Sequence, residues 1–129
     1  MKVAVLIARI LVGITFVFAG LVKIFPIVPM KMPAGEAGAM MLMMYTHKWL
    51  LFYGVVETAG GLMLLIGRFV PLGLTLIAAL GINILLFNIT FQPSGLPIAL
   101  VLAALEIFLV YAYRASFAGI FSAKAQPAA

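Results

Sequence analysis

Five polar residues lie inside long apolar runs: Arg9, Glu57, Asn83, Asn88 and Glu106. Glu57 falls near the middle of WLLFYGVVETAGGLMLLIGR, a stretch apolar and long enough to cross a bilayer. A carboxylate in hydrocarbon costs roughly 3 kcal/mol or more on insertion scales, so it must face protein or water. Its neighbours indicate the direction. Gly54, Glu57, Thr58, Gly61 and Arg68 recur three and four apart on one helical side, and small residues there let a second helix come close. At a rise of ~1.5 Å per residue, Arg9 and Glu106 both fall about 10 Å below the same surface, where they could pair, with Glu57 deeper, level with Asn83. The functional reading is a polar pocket for a headgroup, a quinone or a proton. The competing reading is an Arg–Glu pair and amide hydrogen bonds that only set helix register.

A second cluster, Met40, Met41, Met43 and Met44 followed by His47, offers soft thioethers and one imidazole, the donor types that suit copper(I) or, as a His and Met pair, haem. The plainer reading is methionine as a pliable apolar filler, because no repeated Met spacing marks a ligand array. No metal is required by the residues. Cysteine is absent, which excludes disulfides, thiolate metal sites and dithiol chemistry within the chain. Phosphate loops, nucleophile elbows and zinc motifs are absent too. No residue is assigned a catalytic role.

The elements that must position these residues follow from hydropathy. Of 129 residues, 67% are hydrophobic and 9% charged, more apolar surface than a water-soluble domain of this size can hide. The chain is expected to be all-α: a single integral membrane domain over 1–129, with antiparallel spans at about 3–25, 49–67, 70–91 and 97–113 and a short interfacial helix at about 34–45. Pro26 and Pro29 end the first span. Pro33 and Glu36 suit the start of the short helix, and Pro97 opens the last span. The first span is read as retained, although Met1, Lys2 and the apolar run behind them resemble a signal peptide. Along it Arg9, Gly13, Phe16, Gly20 and Lys23 form one stripe. Glycines recur seven apart (Gly13 with Gly20, Gly54 with Gly61, Gly60 with Gly67), a spacing that suits close, left-handed antiparallel helix packing.

Eight Lys and Arg stand against three acids. They sit singly at the ends of apolar runs, where they snorkel to headgroups, so nucleic-acid binding is not expected. Four spans put both termini on one side with Lys2, Arg9, Arg68, Arg114 and Lys124, against Lys23, Lys31 and Lys48 on the other. That bias favours cytoplasmic termini.

RILVGITFVFAGLVKIF (9–25) resembles the opening of DoxX and DoxX-like membrane proteins, with an Arg, two glycines and a Lys at the foot of the first helix. VETAGGLMLLIGRFVPLGLTL (56–76) is similar to that family's second and third helices. NILLFNITFQPSGLPIALVLAALEIFLVYAYRASF (83–117) resembles a DoxX-like branch whose long last helix bears a Glu and ends in Tyr-Arg. The resemblance implies a four-helix bundle in a bacterial-type plasma membrane. It also implies kinship with a subunit associated with thiosulfate:quinone oxidoreduction, some relatives having redox or stress-defence partners. Members of that branch often carry His where Asn88 stands, which weakens a ligand role there. The Gly-Ser-Asp-like ending of other members is absent, so thiosulfate oxidation is not carried over.

Three functions remain open on the sequence. The leading one is an accessory or structural subunit of a larger, redox- or quinone-linked membrane assembly or homo-oligomer, with no catalytic activity of its own and with quinone or lipid held between helices. The second is a small proton-coupled transporter using Glu57 or Glu106. Dimeric four-helix multidrug exporters share the size but carry their essential Glu in the first span, where this chain has Arg9 and Lys23. The third, a quinone-linked oxidoreductase acting alone, is least favoured by a chain with one His and no dinucleotide motif.

Overall fold

The computed structural model describes residues 1–25 and 33–128. Pro26, Pro29, Met30 and Lys31 lie outside the described residues. The elements are α1 (Lys2–Ile24), α2 (Gly35–Thr46), α3 (Trp49–Ile66), α4 (Val70–Thr90), a 3-10 turn (Pro93–Gly95), α5 (Leu96–Ala112) and α6 (Arg114–Phe117). No strand occurs among the described residues. α1, α3, α4 and the turn with α5 are each long and apolar enough to cross a membrane. At ~1.5 Å per residue, the 23 residues of α1 extend about 35 Å and the 18 of α3 about 27 Å, against a hydrocarbon core of about 30 Å.

The four long helices form a ring: α1 packs on α3 and α5, and α4 packs on α3 and α5. The α1–α3 contact is the most extensive, and its glycines explain why. A Cβ on Gly20 would lie 2.6 Å from the Gly54 carbonyl oxygen, and one on Gly61 would lie 2.8 Å from that of Gly13. Gly20 therefore meets Gly54 and Gly13 meets Gly61, so the backbones touch where any side chain would wedge them apart. The core inside the ring is Val12, Phe16, Leu64, Leu74, Ile77 and Leu109, sealed at one end by Phe117 of α6. Ile7, Ile14, Phe18, Phe52, Ile82, Ile98 and Ile107 point outward and are exposed, as expected of side chains whose solvent is lipid.

The connections are short and stereochemically specific. α3 ends on Gly67 with φ 81°, and Phe69, with φ 59°, precedes α4; two left-handed residues reverse the chain. Pro71 occupies the first turn of α4 and Pro97 that of α5, where a missing N–H costs nothing. α2 packs on α3 and carries Glu36 in its first turn, near the positive end of the helix dipole.

Candidate functional site

Glu57 projects from the buried face of α3, which also carries Leu50, Gly54, Gly60, Gly61 and Leu64. It is 1% exposed. Its partner is Lys23, the last cation of α1: Lys23 Nζ donates to both carboxylate oxygens, at 2.7 Å to Oε1 and 2.8 Å to Oε2. This is the one salt bridge among the described residues. Side-chain direction accounts for it. Helical side chains lean toward their own N-terminus. α1 and α3 are antiparallel, so Lys23, near the end of α1, leans inward, while Glu57, at mid-membrane on α3, leans out toward it.

The Arg9–Glu106 pair that equal depth would allow does not form, for the same reason with the sign reversed. Arg9 lies near the start of α1 and leans toward that end of the bundle; Glu106, on α5, leans away from it toward the membrane centre. Arg9 Nη1 donates instead to the Tyr113 hydroxyl at 3.4 Å, and the guanidinium lies where a Cβ on Gly67 would be, 3.1 Å away. Glu106 is 8% exposed and lies over Gly81 of α4, whose missing Cβ would be 2.8 Å from Oε2. It makes no hydrogen bond or ion pair among the described residues.

Asn83 and Asn88 each donate Nδ2 to the carbonyl four residues back, Ala79 at 3.0 Å and Ile84 at 2.8 Å. Asn88 is buried and its Oδ1 lies against Gly95, which locks the 3-10 turn to the end of α4; Asn83 is exposed. Both amides line a cavity of about 430 Å³ between α2, α3 and α4, which also takes in Lys23 and Glu57. The walls are Leu50, Leu80, Ile84, Phe87 and Phe91, with Met40, Met41 and Met44 supplied by α2 and Tyr53 and Gln92 adding polar tips. The structure thus gathers three of the five intramembrane polar residues, Glu57, Asn83 and Asn88, at one site. Arg9 and Glu106 lie outside it.

The methionine and histidine cluster divides. Met40, Met41 and Met44 face the cavity, but Met43 is 64% exposed and neither it nor His47 lines the cavity. No group of three His, Cys, Asp or Glu could hold a metal ion among the described residues.

Sequence reasoning missed Lys23 as the partner of Glu57, although the signal was present. Setting the stripe Arg9–Gly13–Phe16–Gly20–Lys23 antiparallel to Gly54–Glu57–Gly61–Arg68, glycine on glycine, leaves Lys23 beside Glu57 once side-chain lean is included. The α2 methionines stood out in the sequence as a cluster, but their place beside Glu57, like that of Tyr113 beside Arg9, depends on how distant segments return.

A mostly apolar cavity of a few hundred cubic ångströms with a few convergent polar groups is the usual form of a small-molecule site. Here one ammonium proton of Lys23 remains after two are given to Glu57, and the amides and Tyr53 add further hydrogen-bonding groups. No curated protein and no solved structure matches the chain. The DoxX family model matches residues 4–93, more than half of the chain. With four apolar helices, an α1–α3 glycine seam and that match together, the chain belongs to the DoxX family of multi-pass membrane proteins.

Proposed function

We propose that this protein is an accessory subunit of a larger membrane assembly, and that it holds a quinone or a similarly ring-headed lipid in the α2–α3–α4 cavity. The observation that carries the reading is the cavity itself: about 430 Å³, walled by Leu, Ile, Phe and Met, with the Lys23–Glu57 pair and two amides among its lining residues. A quinone needs an apolar slot and donors for its carbonyl oxygens. The free Lys23 proton, the Tyr53 hydroxyl and the amide N–H groups supply donors, and Phe87 and Phe91 supply flat apolar walls. Nothing among the cavity residues is suited to move electrons alone, so the redox chemistry would belong to a partner subunit. The membrane we assign is a bacterial-type plasma membrane with both termini cytoplasmic. Lys2, Arg9, Arg68, Arg114 and Lys124 cluster at the end of the bundle that carries the termini, which supports this orientation.

The test is purification in a mild detergent, followed by mass spectrometry of the co-extracted lipids and co-migrating proteins. Isoprenoid quinone should be enriched in the native protein and depleted in a Leu80→Trp variant that fills the cavity. Equal quinone in both would reject the ligand, and a lone chain with no co-migrating protein would reject the subunit role.

Proton-coupled transport is the second reading, favoured by one observation: Glu106 is buried in a spanning helix with no partner among the described residues. Unpaired intramembrane acids mark proton and ion pathways. Proton-coupled flux in liposomes that survives both Glu57→Gln and Glu106→Gln would remove this reading.

A further inference from the structure

The end of the bundle opposite the Lys23–Glu57 cavity carries a second concavity, a cleft of about 650 Å³ between the start of α1 and the end of α5. Three cationic side chains line it, those of Lys2, Arg9 and Arg114, and no acidic one does. None of the three forms a salt bridge with another described residue. Like charges gathered without a counter-charge repel one another, so their convergence calls for an anion.

We propose that this cleft binds the phosphate of an anionic phospholipid. Three features assign the phosphate. Arg9 lines the cleft, and its Nε is buried without a hydrogen-bond partner, so the protein alone leaves this guanidinium incompletely satisfied. Arg114 is held in place, its Nη1 donating to the Tyr111 carbonyl at 2.9 Å and its guanidinium 4.3 Å over the Tyr111 ring, which leaves its other N–H groups free in a fixed fork. The first turn of α1 has no side-chain cap, so its free N–H groups add to the same positive field.

Depth and wall chemistry assign the lipid. Lys2 and Arg114 stand at the ends of their spans, level with headgroups, whereas Arg9 lies seven residues along α1, about 10 Å deeper at ~1.5 Å per residue. Val5 and Leu6, apolar residues of the same helix, complete the wall. Cations at two depths beside an apolar wall match a headgroup phosphate with its acyl chains running down the bundle. A free phosphate would leave the apolar part uncovered. Basic pockets between transmembrane helices hold anionic headgroups by this combination.

The experiment is lipid titration of the detergent-purified full chain, read by native mass spectrometry and by thermal unfolding. The probes are phosphatidylglycerol, phosphatidylcholine and inorganic phosphate. Phosphatidylglycerol should bind and raise the melting temperature, and phosphatidylcholine should do neither. Each cation removed should weaken binding about fivefold, so Lys2→Gln with Arg114→Gln should weaken it about 25-fold by the same arithmetic. Both of those residues are exposed, and circular dichroism verifies the fold of the pair. Arg9→Gln should weaken binding more, and Arg9→Lys should recover only part of it, because a single ammonium does not restore the planar guanidinium fork. Equal binding of phosphatidylcholine, or an unchanged affinity in the Lys2/Arg114 pair, would overturn the site. Inorganic phosphate that displaces the lipid at matching affinity would overturn the lipid assignment.

Discussion

Glu57 and Glu106 are the two buried acids of the bundle, and each faces a glycine-rich neighbour. Glu57 sits in the α1–α3 seam with a lysine on both of its oxygens. Glu106 sits in the α4–α5 seam over Gly81 with no partner among the described residues. Depth does not explain the difference, since Glu57, the deeper of the two, is the one that is paired. Direction does. On antiparallel helices, two side chains that lean toward their own N-termini converge when each starts on the far side of the other's target, as Lys23 and Glu57 do, and diverge otherwise, as Arg9 and Glu106 do. Glu57 is thus neutralised by a cation from the end of α1, whereas Glu106 is left unpaired by the cation expected at its own depth. The paired acid lines the cavity between α2, α3 and α4, and the unpaired acid lies outside that cavity.

The contrast is sharpest where a partner is removed. Lys23→Leu leaves the Glu57 carboxylate alone in the seam and should cost about 3 kcal/mol or more, measured by denaturant unfolding in detergent micelles. Adding Glu57→Leu should recover most of that loss, because the uncompensated charge is then gone. No recovery would mean that Lys23 acts by packing its stem and not through the pair.

Next in size is the seam itself. Gly20→Ala places a methyl group 2.6 Å from the Gly54 carbonyl oxygen and 2.8 Å from the Thr58 amide nitrogen, both backbone atoms that cannot swing aside. The expected cost is about 1–3 kcal/mol, as for an overpacked core. Gly119→Ala, with nothing within 4 Å, serves as the control and should lie within about 0.5 kcal/mol of the native protein. An equally mild Gly20→Ala would show that the α1–α3 backbones are not in contact.

Glu106→Leu should be gentler still, within about 1 kcal/mol or stabilising, because an apolar isostere replaces an acid that has no hydrogen bond to lose. A loss as large as that of Lys23→Leu would show that Glu106 has a partner and would close the gap between the two sites. The smallest effect belongs to Gly81→Ala. The three atoms its methyl group meets first all belong to the flexible end of Glu106, the nearest at 2.8 Å, so rotation of the carboxylate should relieve it at a cost of about 0.5 kcal/mol.

The chain by itself determined the four spans, the short helix before the second of them, their antiparallel order and the glycine seam. Lipid leaves little alternative: an apolar run of about 20 residues must be helical to satisfy its backbone, and small residues on one face of a span let a neighbour come close. The placements at 49–67 and 70–91 accordingly differ from α3 and α4 by one residue at their ends. The choice of partners was decided only in three dimensions. Lys23 for Glu57, Tyr113 for Arg9, Gly81 beneath Glu106, and Met40, Met41 and Met44 walling a cavity with Asn83 and Asn88 all depend on which helices become neighbours around the ring and on which way each side chain leans. Hydropathy is a property of one helix at a time, whereas an ion pair or a cavity belongs to the space between helices, and that space exists only once the bundle has closed.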